Sequence, residues 1–177
     1  MRNCYVLSSL MVLMSSVVMA DVESGPTVDT AVPKLEVYAV AGDINGEAVE
    51  FVEKRESKPT LYCFIPADKF SRPTARLMRT LDDKLSGVAS EGHIVAVWVT
   101  GDPEMSKEYL GRVNMSLKLS STTLCVYEKD ANGPGEWGIN SDASITVVVA
   151  KEGKVKGSFG FVSANETLAD DVLKLLQ

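Results

Sequence analysis

The sequence predicts an α/β fold built on a mixed sheet, and three observations carry that prediction. Residues 60–66 (TLYCFIP) and 93–100 (HIVAVWVT) are continuous apolar, β-branched runs, the pattern required of strands covered on both faces. Each is followed by a segment with a helix-start signal. The chain then closes on two apolar arms, 144–150 and 154–162, turned at Lys151-Glu152-Gly153, and a last amphipathic stretch. Strands alternating with helices, finished by a hairpin and a helix, form an α/β sandwich.

Residues 1–20 carry one positive charge, Arg2, then an apolar run over 5–18 and Val18-Met19-Ala20 ahead of Asp21, which reads as a secretory signal with a small-residue cleavage site. The apolar run is too short for a membrane span, which takes about 20 residues. Cys4 precedes the apolar run instead of following the cleavage point, so a lipid-anchored reading fails and Cys4 leaves with the signal. Removing 1–20 takes away one arginine and no acid, moving the formal charge from −6 to −7. An acidic chain of this kind disfavours nucleic acid and anionic membranes as partners. The expected location is periplasmic or secreted, with no stable membrane insertion after cleavage. Two cysteines remain, Cys63 and Cys125, too few for a disulfide scaffold.

At 177 residues the chain fits one domain. Residues 21–34 are polar, hold Pro26 and Pro33, and read as a flexible leader to a domain over 35–177. Segments 35–40 and 48–52 form a hairpin around the turn at 42–46. After the strand at 60–66, Ser71 caps a helix whose Met78, Leu81, Leu85 and Val88 recur at helical spacing. Following the strand at 93–100, Asp102 caps and Pro103 opens a second helix. A strand over 122–128 leads into a loop, 129–137, with Asn132-Gly133-Pro134-Gly135. The last helix carries the capping-box pattern Ser163 to Glu166 and is expected to bury Leu168, Val172, Leu175 and Leu176.

The order and spacing of KPTLYCFIPADKFSRPTARLMRTL (58–81) and ITVVVAKEGKV (145–155) resemble the thioredoxin superfamily, specifically its exported thiol-disulfide oxidoreductase and peroxiredoxin-like branch, over about 32–176. The resemblance implies a thioredoxin-like three-layer sandwich, a mixed β-sheet with helices on both faces. It places the family's active-site aromatic at Phe70 and its Cys-x-x-Cys at Ser71-Arg72-Pro73-Thr74, so both cysteines are replaced. That chemistry needs an acidified thiolate at the helix start and a second thiol three residues on, which hydroxyls do not supply. In the peroxiredoxin register Phe70 stands where that family has threonine, and no cysteine lies between Phe64 and Leu124. The family's cis-proline position falls at Ser144 or Ile145, neither of them proline. The resemblance therefore implies a redox-inactive binding or structural module, with no catalytic residue and another exported protein as partner. Its contact surface would comprise Phe70, Ser71, Arg72, Pro73, Thr74 and Arg76, with Trp137 and Ser144. The alternative is a thiol-disulfide oxidoreductase or peroxidase acting through Cys63 or Cys125.

The remaining candidates have plainer readings. Cys63 and Cys125 lie inside apolar strands, as buried small hydrophobes do, and cannot form a disulfide if those strands are not neighbours. Lys69, Arg72, Arg76 and Arg79 cluster near a helix start and could receive an anion, although Arg76 and Arg79 could equally pair with Asp82 and Asp83. Ser71 and Thr74 also serve as ordinary capping residues. His93 is the one histidine, opens a strand, and has no Gly-x-Ser-x-Gly partner motif. One histidine and two separated cysteines make no metal site, and no cofactor is implied. Asp82-Asp83 and Asp170-Asp171 read as solvated helix faces. Trp98 is expected in the core, whereas Trp137 could contact a partner or tuck against the sheet.

Overall fold

The computed structural model describes residues 21–177, so the signal reading of residues 1–20 and Cys4 lies outside it. Seven strands form one sheet: β1 (Glu36–Ala41), β2 (Glu47–Glu50), β3 (Thr60–Pro66), β4 (His93–Val99), β5 (Thr122–Tyr127), β6 (Ile145–Lys151) and β7 (Lys154–Phe161). Their spatial order is β2-β1-β5-β4-β3-β6-β7. The three parallel strands β3, β4 and β5 lie at the centre, and antiparallel pairs flank them. The residues of β3, β4 and β5 are buried almost throughout, which is why these runs lack polar alternation.

The helices are α1 (Phe51–Arg55), α2 (Arg72–Val88), α3 (Pro103–Leu117) and α4 (Ala169–Leu173). From β3 to β4 to β5 the chain steps one strand in the same direction twice, and crossovers of one hand then place both connecting helices on one face. Leu77, Met78, Leu81 and Leu85 of α2 and Leu110 and Val113 of α3 accordingly share one core with Cys63, Ala96, Trp98 and Val172. Phe51 of α1, Leu35, Tyr62, Phe64, Cys125 and Trp137 form the core on the other face. Helices therefore stand on both faces, but the second is covered mainly by short α1 and by extended chain. In β1 the register to β5 shifts between Ala39 and Ala41, a bulge that moves Ala41 from the second core to the first.

Several local expectations are corrected. The predicted strand at 48–52 ends at Glu50, whose carboxylate accepts from the Val52 and Glu53 amides and caps α1. Ser163 does not cap the last helix: Asn165 caps the 3-10 turn Glu166–Leu168 ahead of it, its Oδ1 accepting from Thr167 N, and α4 is flanked by 3-10 turns on both sides. The turn phase that follows buries Leu173 and leaves Leu175 exposed. Asp82 is buried, in contrast to the solvated reading.

Of residues 21–34, expected as a flexible leader, residues 21–32 lie along β7. Val22 bridges Gly160 and Ala31 bridges Lys154. Ser24 is buried, with its hydroxyl 2.6 Å from Thr146 Oγ1 and accepting from Asn140 N. Asp21 Oδ2 accepts from Val162 N, and Ser158 Oγ donates to Pro26 O. Among the described residues no helix is long and apolar enough to cross a membrane.

Candidate functional site

The parallel strands β3 and β4 end on the same edge, and the loops beyond such carboxyl ends are where α/β sheets place ligands. After Pro66 the chain makes the 3-10 turn Ala67–Lys69, extends through Phe70 and Ser71, and enters α2 with Pro73 in its first turn. Proline suits that position because its missing N–H would have no helical partner there. Ser71 occupies the N-cap but makes no side-chain cap bond. Its Oγ lies 3.0 Å from Thr74 Oγ1, so the two hydroxyls that occupy the expected Cys-x-x-Cys positions bond each other.

Phe70 is half-buried, its ring centroid 4.9 Å from Trp98 and 6.2 Å from Tyr109. Trp98 is fully buried, and its indole N–H meets no acceptor among the described residues. The Lys69 ammonium donates to the Ser141 carbonyl. A cleft of about 300 Å³ opens beside this turn, lined by Pro66, Lys69, Val99, Thr100, Asn132 and Ser141 among others.

Of the predicted contact residues, Phe70, Ser71, Arg72, Pro73 and Arg76 come together at or near the surface. Thr74 does not join them as a contact, because it is fully buried beneath Ser71. Trp137 is removed from the surface altogether. It lies on the opposite face of the sheet, 5.0 Å from the Tyr62 ring and 4.8 Å from the Phe64 ring, with Nε1 donating to Lys34 O. A buried indole finds such an acceptor as a rule, and this one ties 129–137 to the start of β1. Ser144 is half-buried, and its N–H and hydroxyl both donate to Phe161 O. It makes no hydrogen bond to the start of α2 among the described residues.

The basic cluster is dispersed. Arg79 lies 3.8 Å from Asp83, as expected, but Arg76 reaches Glu166 at 4.0 Å instead of an aspartate of its own helix. Arg72 is exposed. The neighbouring α3 presents a stripe that sequence reading did not single out: Met105, Tyr109 and Arg112, with the Arg112 guanidinium 5.9 Å from the Tyr109 ring. The spacing of three and four in PEMSKEYLGRVNMSL was the available signal.

The cysteines lie apart. Cys63 is level with Ala96, and Val97 with Cys125, so β4 separates their strands. Two strand spacings of about 4.8 Å exceed the ~7 Å Cα reach of a disulfide. The two thiols also point to opposite faces, into separate cores. Burial pushes the Cys63 thiol up to about 12 and the Cys125 thiol well above its ordinary value, which suppresses the thiolate that redox chemistry requires. His93 is at the opposite end of β4 from Phe70, with Nε2 2.9 Å from Thr123 Oγ1. Burial, reinforced by Arg55, pulls its pKa down to about 4. Among the described residues no group of three or more His, Cys, Asp or Glu side chains gathers as a metal site.

No protein-family model matches the sequence, and no curated protein matches it. Solved structures do. The peroxidoxin BcpB from Mycobacterium tuberculosis superposes with a TM-score of 0.60 at 15% identity, over 84% of this chain and 95% of that one. The pneumococcal exposed lipoprotein thioredoxin (Etrx1) from Streptococcus pneumoniae gives 0.57 at 14% identity, over 80% of this chain and 98% of that one. The fold is thioredoxin-like. A peroxiredoxin-like protein from Aquifex aeolicus superposes at 0.56 and 13% identity, covering 85% of this chain and 88% of that one. The structural neighbours are thus redox-type members of the fold, and identities this low carry the thioredoxin-like architecture alone.

Proposed function

We propose that this chain is a redox-inactive, thioredoxin-like binding module of the cell envelope or exterior, recognising another exported protein through the start of α2. The observation that carries the reading is the Ser71–Thr74 hydroxyl pair, which occupies the helix start where the resemblance expects two thiols. A hydroxyl at that position gains nothing from the helix dipole at neutral pH and cannot form or resolve a mixed disulfide. The apolar run of residues 5–18 and the small-residue site at Ala20 support export. The redox character of the structural neighbours favours the second reading, a thiol-disulfide oxidoreductase or peroxidase acting through Cys63 or Cys125. Both thiols are fully buried, which weighs against it.

Thiol labelling of the exported protein, purified without reductant and read by mass spectrometry, separates the two. Two thiols that react with iodoacetamide only after denaturation support the module. Rapid labelling of either thiol in the native chain, or a Cys63–Cys125 disulfide, supports the enzyme.

A further inference from the structure

Helix α3 has a face that none of the described residues covers. Ser106, Leu110 and Val113 turn inward, which leaves Met105, Glu108, Tyr109, Arg112 and Met115 outside. Met105 is 66% exposed, Tyr109 40% and Met115 70%, three large apolar side chains on the outer face of about three turns of helix. The stripe does not stop at α3. Tyr109 meets Phe70 edge-on at 6.2 Å, so the apolar surface runs across to the start of α2, where Arg72 and Arg76 are exposed. Methionine, aromatic residues and arginine are the types enriched at the centres of protein interfaces.

Charge decides which partner fits. The chain is acidic overall at −6, yet this surface carries Arg72, Arg76 and Arg112. Arg76 has only a long contact, 4.0 Å, to exposed Glu166, and Arg72 and Arg112 have no ion pair among the described residues. Acids stand on this surface as well: Glu166 contacts Arg76, Glu104 is engaged by Lys107, and Asp68 and Glu108 are exposed, which leaves the Arg72 and Arg112 guanidinium groups as the ones without a paired carboxylate among the described residues. The net charge of −6 disfavours a negative segment in general, and these two unpaired guanidinium groups attract it here, so its approach is oriented.

We propose that Met105, Tyr109 and Arg112 of α3, with Phe70 and Arg72 at the start of α2, form a docking surface for an acidic segment of a protein partner. The partner's carboxylates bond the guanidinium groups, bidentate where geometry permits, and an apolar side chain lies on the Met105, Tyr109 and Phe70 run. This rests on the binding-module reading above and adds the chemistry of the partner.

A fluorescein-labelled peptide of glutamates with interspersed phenylalanines is the probe, with the same peptide carrying lysines for glutamates as control, both followed by anisotropy against the purified chain. The glutamate peptide is expected to bind saturably and the lysine peptide not to. The double variant Arg72→Glu, Arg112→Glu is expected to weaken binding by about tenfold or more, since close interfacial charge pairs carry energies of that order. Arg79→Glu, on a residue already engaged by Asp83, should leave it unchanged. Hydrogen exchange on the unmodified chain gives a readout that no variant's folding can confuse: peptide protects 70–76 and 103–117. Absence of saturable binding, equal binding of the lysine peptide, unchanged affinity in a folded double variant, or protection confined elsewhere overturns the proposal. The peptide contains no thiol, so native labelling of Cys63 or Cys125 would overturn the redox-inactive reading and leave this result standing, whereas protected thiols with no peptide bound would overturn the docking alone.

Discussion

Asp82, in the middle of α2, accepts a 2.6 Å hydrogen bond from the hydroxyl of Thr122, the first residue of β5. The same carboxylate accepts from Ser121 N at 2.9 Å and from Ser120 N and Oγ at 2.8 and 3.1 Å. A single buried acid thereby fastens the helix that carries the candidate site to the strand two places away. Replacing it with alanine leaves the Thr122 hydroxyl and two amides without their acceptor inside the fold. Hydrogen bonds to a charged group are worth about 1.5–3 kcal/mol, so Asp82→Ala is expected to cost about 3 kcal/mol in urea unfolding, with Asp82→Asn costing less. For a domain of this size that is a fall in Tm of about 10 °C. A loss below 0.5 kcal/mol would show that the network does not hold the two elements together.

Asp82 also shows how far the residues alone could be read. Positions 78, 81, 82 and 85 lie in one helical stripe, a spacing that the reading of Asp82 and Asp83 as a solvated face passed over. The charge of Asp82 argued for solvent, and the acceptor network that satisfies it comes from residues about 40 positions on, which no local pattern reports. The central strands were legible because burial on both faces writes itself as continuous apolar runs. Helix α1 was hidden by its glutamate cap, a residue type not ordinarily read as a start signal. The position of Ser71 and Thr74 followed from order and spacing. The spacing on α3 signalled a stripe at Met105, Tyr109 and Arg112, but its meeting with Phe70 and the burial of Thr74 are set by tertiary packing that no local pattern reports.

His93 provides a test by pH. Its pKa is depressed to about 4 in the folded protein from an ordinary value of 6.5, first by burial and then by Arg55, with Asp43 and Asp82 opposing. The unfolded chain binds this proton more readily than the folded one, so stability is fully present above about pH 6.5 and falls as the pH drops toward 4. Denaturant midpoints measured across that window should fall more steeply for the natural chain than for His93→Gln, which keeps a group able to bond Thr123 but does not titrate. Parallel profiles would mean that His93 ionises as easily folded as unfolded.

Trp137 was open to two readings from sequence, and its packing fixes the consequence of removing it. The ring fills the space over Tyr62 and Phe64 and its N–H holds Lys34, so Trp137→Ala creates a cavity and frees a carbonyl at once. A loss of about 3–5 kcal/mol is expected, read by calorimetry, with binding of the glutamate peptide at the far face retained wherever the variant is folded. Loss of peptide binding in a folded variant would place Trp137 in the contact surface after all.

Residues 21–32 convert the last edge of the sheet into a covered one. β7 would otherwise present a row of free backbone groups, and exposed edges of this kind invite pairing with other chains. Gly160 is the closest point of contact: a Cβ there would sit 2.6 Å from Val22 O and 2.8 Å from Ser24 Cβ, both in the segment that lies over it. Gly160→Val therefore cannot coexist with the strap in place, and overpacking of this type costs about 1–3 kcal/mol. Two outcomes are expected together: limited proteolysis before Leu35 becomes faster, and the protein begins to self-associate in size-exclusion chromatography as the β7 edge opens. A chain beginning at Lys34 should show the second effect without the first substitution. If the Gly160→Val chain remains protease-resistant before Leu35 and both variants are unchanged in size, the segment is an ornament on a sheet edge already protected by other means, and the domain begins at Leu35 as the residue pattern alone would have it.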